Sequence, residues 1–441
     1  MRFSRTSSLL LAVGASTLVL WAGSAGTRAQ GPADSYVIKN ARIVTVTGPV
    51  IENGSVAIAN GKIVEVGKSV TAPRGARVID ATGLSVYPGM IDSGTEIGLT
   101  EISSVAGTVD TTEIGDNNAN IHVDVAIRPD SSHIPVTRVN GITTVLTEPR
   151  GSLIAGTSAL INLDGWVPKE MILKSPVAMH IVWPGAEVRG GEFAGFERGQ
   201  RSIVDARREQ DKKIEDLKKI LQDARAYADA RDNAAKDSSV PKPDMDLKLE
   251  ALIPVVRGQM PVVIQAGTER DIKRAIDFAG EMKLKMILSG GTEAYKVAET
   301  LKSKGIPVLV GPVLRLPQNE DDPYDTPFAN AGMLSKAGVK IAFQTLESAH
   351  VRDLPYHAGM AAAFGLPREE ALKAVTIYPA EIFGVSDKIG SIEPGKIANI
   401  ILTDGDPLEI RTQIKHLLIN GHEVPLTSRH TELYEKYRAR P

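Results

Sequence analysis

Along residues 36–86, short runs of β-branched and aliphatic residues alternate with turn signals. Val37-Ile38, Ile43-Val44-Thr45-Val46, Ser55-Val56-Ala57-Ile58 and Ile63-Val64-Glu65-Val66 are such runs, and Glu52-Asn53-Gly54 and Asn60-Gly61 punctuate them. Asn-Gly between two apolar runs supplies the positive φ of a two-residue hairpin turn, so the spacing predicts a small antiparallel sheet. The same grammar returns at residues 397–402 and 414–419, followed by Asn420-Gly421. Two β segments at opposite ends can share one discontinuous domain, here expected from residues 36–86 plus 386–425.

Between these ends the period lengthens. Residues 261–264 read as a strand, and Ile272, Ala275, Ile276 and Ala279 follow at i, i+3, i+4 and i+7, the apolar stripe of a helix that covers a sheet. A strand at 285–288 precedes a helix carrying Tyr295, Ala298 and Leu301, which stops at Gly305. A strand at 306–310, a Pro-rich loop, a helix at 328–337, a strand at 339–343 and a helix at 354–364 continue the series. Repeated β-then-α units imply a parallel sheet wrapped by helices. Strand-like segments at 86–91, 143–146 and 178–182 can supply the rest of a barrel. The expected fold is therefore α/β: a TIM (β/α)8 barrel over residues 87–385 with a small β-sandwich formed by the N- and C-terminal segments.

Residues 197–244 stand outside this rhythm. The stretch is dense in charge, with Ile214, Leu217, Ile220, Leu221, Ala224 and Ala228 at helical spacing. It reads as an inserted amphipathic helix packed on the barrel surface, with a partner-binding helix as the sharper alternative. At the N-terminus, Arg2 and Arg5 precede an apolar run over residues 9–22, and Thr27-Arg28-Ala29 satisfies the small-x-small rule of signal peptidase. That run is shorter than the roughly 20 residues of a spanning helix. Residues 1–29 are therefore expected to be a cleaved signal peptide, the mature chain being exported to the periplasm or beyond it with no membrane span.

Composition narrows the chemistry. With no Cys there is no disulfide, thiolate zinc site, iron–sulfur cluster or cysteine nucleophile. The 51 basic and 53 acidic residues give a net charge of −2 without a dominant basic block, which argues against a nucleic-acid partner. No G-x-S-x-G elbow, phosphate loop or H-E-x-x-H motif occurs, and none of the 8 histidines is paired at H-x-H or i, i+4 spacing.

At Tyr87-Pro88-Gly89-Met90-Ile91-Asp92 the chain resembles the amidohydrolase superfamily, in which a P-G-M-I-D run forms the first barrel strand. The tail agrees in Tyr378-Pro379-Ala380, in Gly390-Ser391-Ile392-Glu393-Pro394-Gly395-Lys396-Ile397-Ala398-Asn399-Ile400 and in Asp404-Gly405-Asp406-Pro407-Leu408. The resemblance spans residues 36–424 and is nearest to the imidazolonepropionase-like branch. It implies a TIM barrel flanked by a β-sandwich. It also implies hydrolysis of C–N or related bonds by zinc or another divalent metal, whose bound water is acidified to hydroxide. In the family the first strand reads P-G-x-I-D-x-H-x-H, and here the two histidine positions are Gly94 and Glu96. The strand-five and strand-six histidine positions are Gln265 and Gly290, and the strand-eight aspartate position is Leu346. Glycine and leucine offer no donor atom and glutamine a weak one, so the usual metal site is not expected to form and no cofactor is expected.

Polar groups remain at the expected strand ends: Glu96, Gln265, Glu293, Thr345, Glu347 and His350 are the candidate pocket-lining residues. The resemblance implies a hydrolase of C–N bonds such as those of cyclic amides. The missing ligands instead suggest a metal-free, degenerate homologue that binds a small amide-like or peptide-like ligand. Such a protein would act as a homo-oligomer or as the partner subunit of an active amidohydrolase. The alternative is an active amidohydrolase with a non-standard site rebuilt from Glu96, Gln265, Glu347 and His350.

Overall fold

Five strands open the chain: β1 Tyr36–Ile43, β2 Ile51–Ala59, β3 Lys62–Gly67, β4 Arg77–Asp80 and β5 Ser85–Pro88. The middle carries β6 Met90–Thr95, β7 Ile142–Thr147, β8 Ile154–Thr157, β9 Ala159–Asn162 and β10 Ile172–Lys174. It continues with β11 Met179–Val182, β12 Val262–Ala266, β13 Met286–Gly290, β14 Val308–Val310 and β15 Ile341–Phe343. The last strands are β16 Ile400–Thr403, β17 Ile414–Ile419 and β18 His422–Glu423. The computed structural model describes residues 35–151, 153–185 and 203–440. The expected signal peptide and the start of the expected insertion, residues 197–202, lie outside the described residues. Among the described residues no helix is long and apolar enough to cross a membrane.

Both ends of the chain meet in one eight-stranded sheet of order β18-β17-β16-β5-β1-β2-β3, with β4 beside β1. The predicted hairpin joins β2 to β3, with Asn60 at φ 53 and Gly61 at φ 76 in its turn. A register shift between Ile38 and Ala41, with Asn40 at φ 61, bends β1. Its first half therefore pairs with β4 and its last two residues with β5, so one strand serves two neighbours on the same side. The ladders join the two terminal segments into a single sheet and do not divide it into the two layers of the expected sandwich.

The middle of the chain is mixed α/β. One sheet runs β10-β9-β7-β6 and another β15-β14-β13-β12-β11-β8. β6 and β7 are parallel, as are β11 to β15 in succession. β8 and β9 are one stretch interrupted at Ser158, antiparallel to β11 and β7 respectively. On the far side β15 is three residues long and forms no ladder with β6. Two backbone bonds connect the end of β6 to the segment after β15 instead, Leu346 N–H to the Gly94 carbonyl at 2.9 Å and Glu96 N–H to the Glu347 carbonyl at 3.2 Å. The ladders thus leave two open sheets where a closed ring of eight parallel strands is expected.

The helices cover these sheets as their apolar stripes predict. In the helix Glu269–Glu281, Ile272, Ala275, Ile276 and Ala279 are buried, and the Thr268 hydroxyl caps it by accepting from Asp271 N–H. The helix Ile203–Lys236 packs its Ile214, Leu217, Leu221 and Ala224 into the main core. Gln210 anchors it, donating through Nε2 to Asp271 Oδ1 at 2.8 Å.

A buried polar latch ties the terminal sheet to β7 and β9. Asn399 Nδ2 donates to Asn162 Oδ1 at 2.9 Å and Thr144 Oγ1 at 3.2 Å, while its Oδ1 accepts from Asn420 N–H at 2.9 Å. Asn162 Nδ2 in turn reaches Asn420 Oδ1 at 2.8 Å. Asn399→Ala strands these groups away from water, so urea unfolding is expected to lose about 2 kcal/mol. A loss under about 0.5 kcal/mol would mean that water replaces the latch without cost.

Candidate functional site

Strands β6 and β11 and the residues just after β7 and β15 bring together titratable groups that lie far apart in the chain. Asp92, in β6, is fully buried. Its Oδ1 accepts from Gly94 N–H at 3.0 Å and Thr345 N–H at 3.2 Å, and its Oδ2 accepts from Thr345 Oγ1 at 2.7 Å. Burial pushes the carboxyl up to about 7 in spite of these donors. Thr345 therefore serves Asp92.

Immediately after β7, Glu148 is 3% exposed. Burial pushes it up to about 7, against the opposing pull of the Arg150 guanidinium. Arg150 is the hub. Its Nε donates to Glu96 Oε1 at 2.9 Å, its Nη2 to the Leu346 carbonyl at 2.6 Å, and its Nη1 lies 3.2 Å from Glu148 Oε1. Among the described residues the other Glu148 oxygen, Oε2, has no hydrogen-bond partner; it lies 3.6 Å from Nδ1 of His180, a buried residue of β11 whose Nε2 also lacks one among them. Burial, helped by the Arg150 charge, pushes His180 down to about 3, so it is a neutral imidazole at ordinary pH.

Gly94 stands at the centre of this group. A Cβ there would meet Gln344 Oε1 at 2.9 Å and Glu148 Oε2 at 3.0 Å, and Gln344 is itself held by the Ser289 hydroxyl. The position has no room for a side chain unless both Gln344 and Glu148 shift. Among the described residues, no set of three or more His, Asp or Glu side chains is grouped to hold a metal ion.

Beyond the strand ends opens a cavity of about 540 Å³, lined among others by Trp183, Gln265, Gly290, Thr292, Arg315 and Leu346. This is the face on which parallel α/β folds place their ligands.

The residues expected at the site divide three ways. Gln265 lines the cavity, as do Gly290 and Leu346. Glu96 and Thr345 belong to the charged network, Glu96 accepting from Thr100 Oγ1 at 3.0 Å besides Arg150. Glu293 instead braces loops: it accepts from Glu269 N–H at 2.6 Å, Lys296 Nζ at 2.7 Å and Asn319 Nδ2 at 3.3 Å. Burial works against its ionisation, but these bonds outweigh it and hold its pKa low. Glu347 and His350 are 56% and 58% exposed, sit 3.8 Å apart and do not line the cavity. At Leu346 the backbone turns through φ 61, and the turn Val351–Asp353 then carries the chain away into the helix Leu354–Ala363. The four residues of the alternative rebuilt site are therefore not assembled in one place. Sequence reasoning passed over Glu148, Arg150 and Arg315 and gave His180 no role; a Glu directly after a wholly buried strand was the available signal.

Residues 263–424 match the family described as Amidohydrolase family. Amidohydrolase tasK of Hapsidospora irregularis is 26% identical over 400 residues, covering 83% of this chain and 39% of that protein. An adenine deaminase of Listeria monocytogenes serotype 4b is 31% identical over 154 residues, 34% of this chain and 20% of that protein. The chain thus spans 39% or less of the length of these curated relatives. The crystal structure of an amidohydrolase from Thermotoga maritima MSB8 superposes with a TM-score of 0.77 at 26% identity, covering 88% of this chain and 99% of that one. These are likenesses to amidohydrolases, and they do not single out the imidazolonepropionase-like branch.

Proposed function

We propose that this chain, an amidohydrolase-superfamily protein related to enzymes that act on C–N bonds, does not use the metal chemistry of that superfamily. It binds a small amide-like ligand in the cavity at the strand ends. The observation that carries this reading is Arg150, whose guanidinium bridges Glu96, Glu148 and the Leu346 carbonyl. A guanidinium is a permanent monocation that neutralises carboxylates but offers no lone pair or open coordination position. That cation already occupies Glu96 Oε1 and Glu148 Oε1, the carboxylate oxygens that face it. Asp92 already accepts three hydrogen bonds, and the side chains of Gly94, Gly290 and Leu346 supply no ligand atom. This donor set does not fit a divalent metal.

The two sheets are read here as a modified superfamily barrel, with the broken β8–β9 stretch in place of one parallel strand. Export after removal of residues 1–29, and association with a second copy or with an active amidohydrolase, belong to the same proposal. Elemental mass spectrometry of the chain, purified without chelator and then incubated with zinc, is expected to find no stoichiometric metal. A zinc ion bound to each chain and lost in Glu96→Ala would overturn the reading.

A second reading is favoured by Glu148, a buried carboxyl with one unbonded oxygen and a pKa near 7. Groups poised near neutrality transfer protons, and metal-free amide hydrolysis would place Glu148 in that role. Under it, wild type turns over N-acyl amino acids or cyclic amides and Glu148→Gln does not. Under the first reading neither protein does.

A further inference from the structure

The cavity wall carries a cation for which the described residues provide no counter-charge. Arg315 is half-buried in its wall. Its Nη2 donates to Thr292 Oγ1 at 2.8 Å and lies 3.4 Å from Gln318 Oε1, both neutral groups. Among the described residues no carboxylate pairs with it, and burial alone pulls its pKa down with no neighbouring anion opposing. The other buried charge on the same wall is satisfied: Asp271 accepts from Gln210 Nε2 at 2.8 Å and Thr268 Oγ1 at 3.0 Å. Lys213 lies 3.7 Å from Glu209, and Asp116 is exposed. A desolvated guanidinium without an anion is costly, and its remaining donors match a carboxylate in the plane of the fork. Gln265 presents a carboxamide to the same cavity with no hydrogen bond to any described residue.

We infer that Arg315 is the recognition residue for a carboxylate, and that the cavity takes a small monoanion carrying a neutral amide that Gln265 can meet. This rests on the proposal that the cavity is a ligand site. A monoanion is favoured over phosphate because Asp116 and Asp271 face the same space. Among the described residues, a second negative charge on the ligand would find those aspartates and, besides Arg315, only Lys213, which is paired with Glu209.

The test is isothermal titration of the whole chain with N-acetylglycine, N-acetylglycinamide and inorganic phosphate, in wild type, Arg315→Gln and Arg315→Lys. N-acetylglycine is expected to bind wild type at least about tenfold more tightly than its amide and than phosphate. Arg315→Gln erases that preference, and Arg315→Lys restores part of it, because lysine keeps the charge and loses the fork. Equal binding of acid and amide to wild type, no detectable binding of the acid, an unchanged preference in Arg315→Gln, or tighter binding of phosphate would each overturn the inference. If Arg315→Gln does not fold, the acid–amide comparison in wild type decides alone. Measurable but equal binding of acid and amide removes Arg315 while leaving the cavity a ligand site, so the two failures are distinguishable.

Discussion

Arg150→Met is expected to lower the stability of the folded chain by roughly 3 kcal/mol at pH 8, the cost of leaving the buried Glu148 and the half-buried Glu96 without their cation. Methionine fills much of the volume, so the loss reports charge. Two carboxylates and one backbone carbonyl lose their donor together, and Glu148 is 3% exposed, so water does not replace it. The dependence on pH separates this from a packing defect. Burial already holds Glu148 up to about 7, and Arg150 is the group that pulls it down. Without Arg150 the folded-state pKa rises further above the unfolded value. A raised carboxyl contributes fully below its unfolded pKa, and that contribution is lost as pH rises through the folded one. The penalty of the variant should therefore shrink from pH 8 to pH 5. Urea unfolding at both values checks it, and an equal penalty at both would show that Arg150 acts by shape alone.

Asp92→Asn is expected to gain stability relative to wild type as pH rises from about 4 to about 7, by on the order of 4 kcal/mol in all. Burial holds Asp92 at about 7, against an ordinary aspartate value of 3.8. Between those values the unfolded chain has released the proton and the folded chain has kept it, so this group's contribution falls as pH rises. Asparagine carries no such proton, keeps an acceptor for Gly94 and Thr345 N–H, and can donate to Thr345 Oγ1. The wild-type curve alone hides the effect. Burial pushes His180 down to about 3 and His357 to about 4, and their unfolded forms take up protons below 6.5 that the folded forms refuse. The histidines lower stability as pH falls while the buried acids lower it as pH rises, so the two offset over much of the acidic range. The difference between variant and wild type isolates Asp92, and parallel curves at pH 4.5, 6 and 8 would sink the prediction.

What the sequence revealed and what it hid follow from the range over which each feature is encoded. The Asn60-Gly61 turn and the stripe from Ile272 to Ala279 are local patterns, and both stand in the structure. Gln265, Gly290 and Leu346 were placed at strand ends by motifs that set the local register, and all three line the cavity. The antiparallel β8–β9 stretch escaped notice because a fully buried apolar run looks alike in parallel and antiparallel surroundings. Arg150 was invisible as a hub for a different reason: its partners lie 54 and 196 positions away in the chain, and such pairing leaves no periodic trace. Glu347 and His350 are close in sequence to a cavity residue, but the positive φ of Leu346 turns them outward.

The pairing of β5 with β16 imposes an order of events during synthesis. β1 to β5 leave the ribosome early, and the strand that completes their sheet follows about 300 residues later, tens of seconds at about 5–20 residues per second. Throughout that interval β5 presents a bare row of backbone donors and acceptors to the nascent chain and its neighbours, a template for wrong partners. The yield of folded protein should thus depend on how long that row is shielded, so faster elongation or a holding chaperone would favour this chain more than one whose sheets close in sequence order.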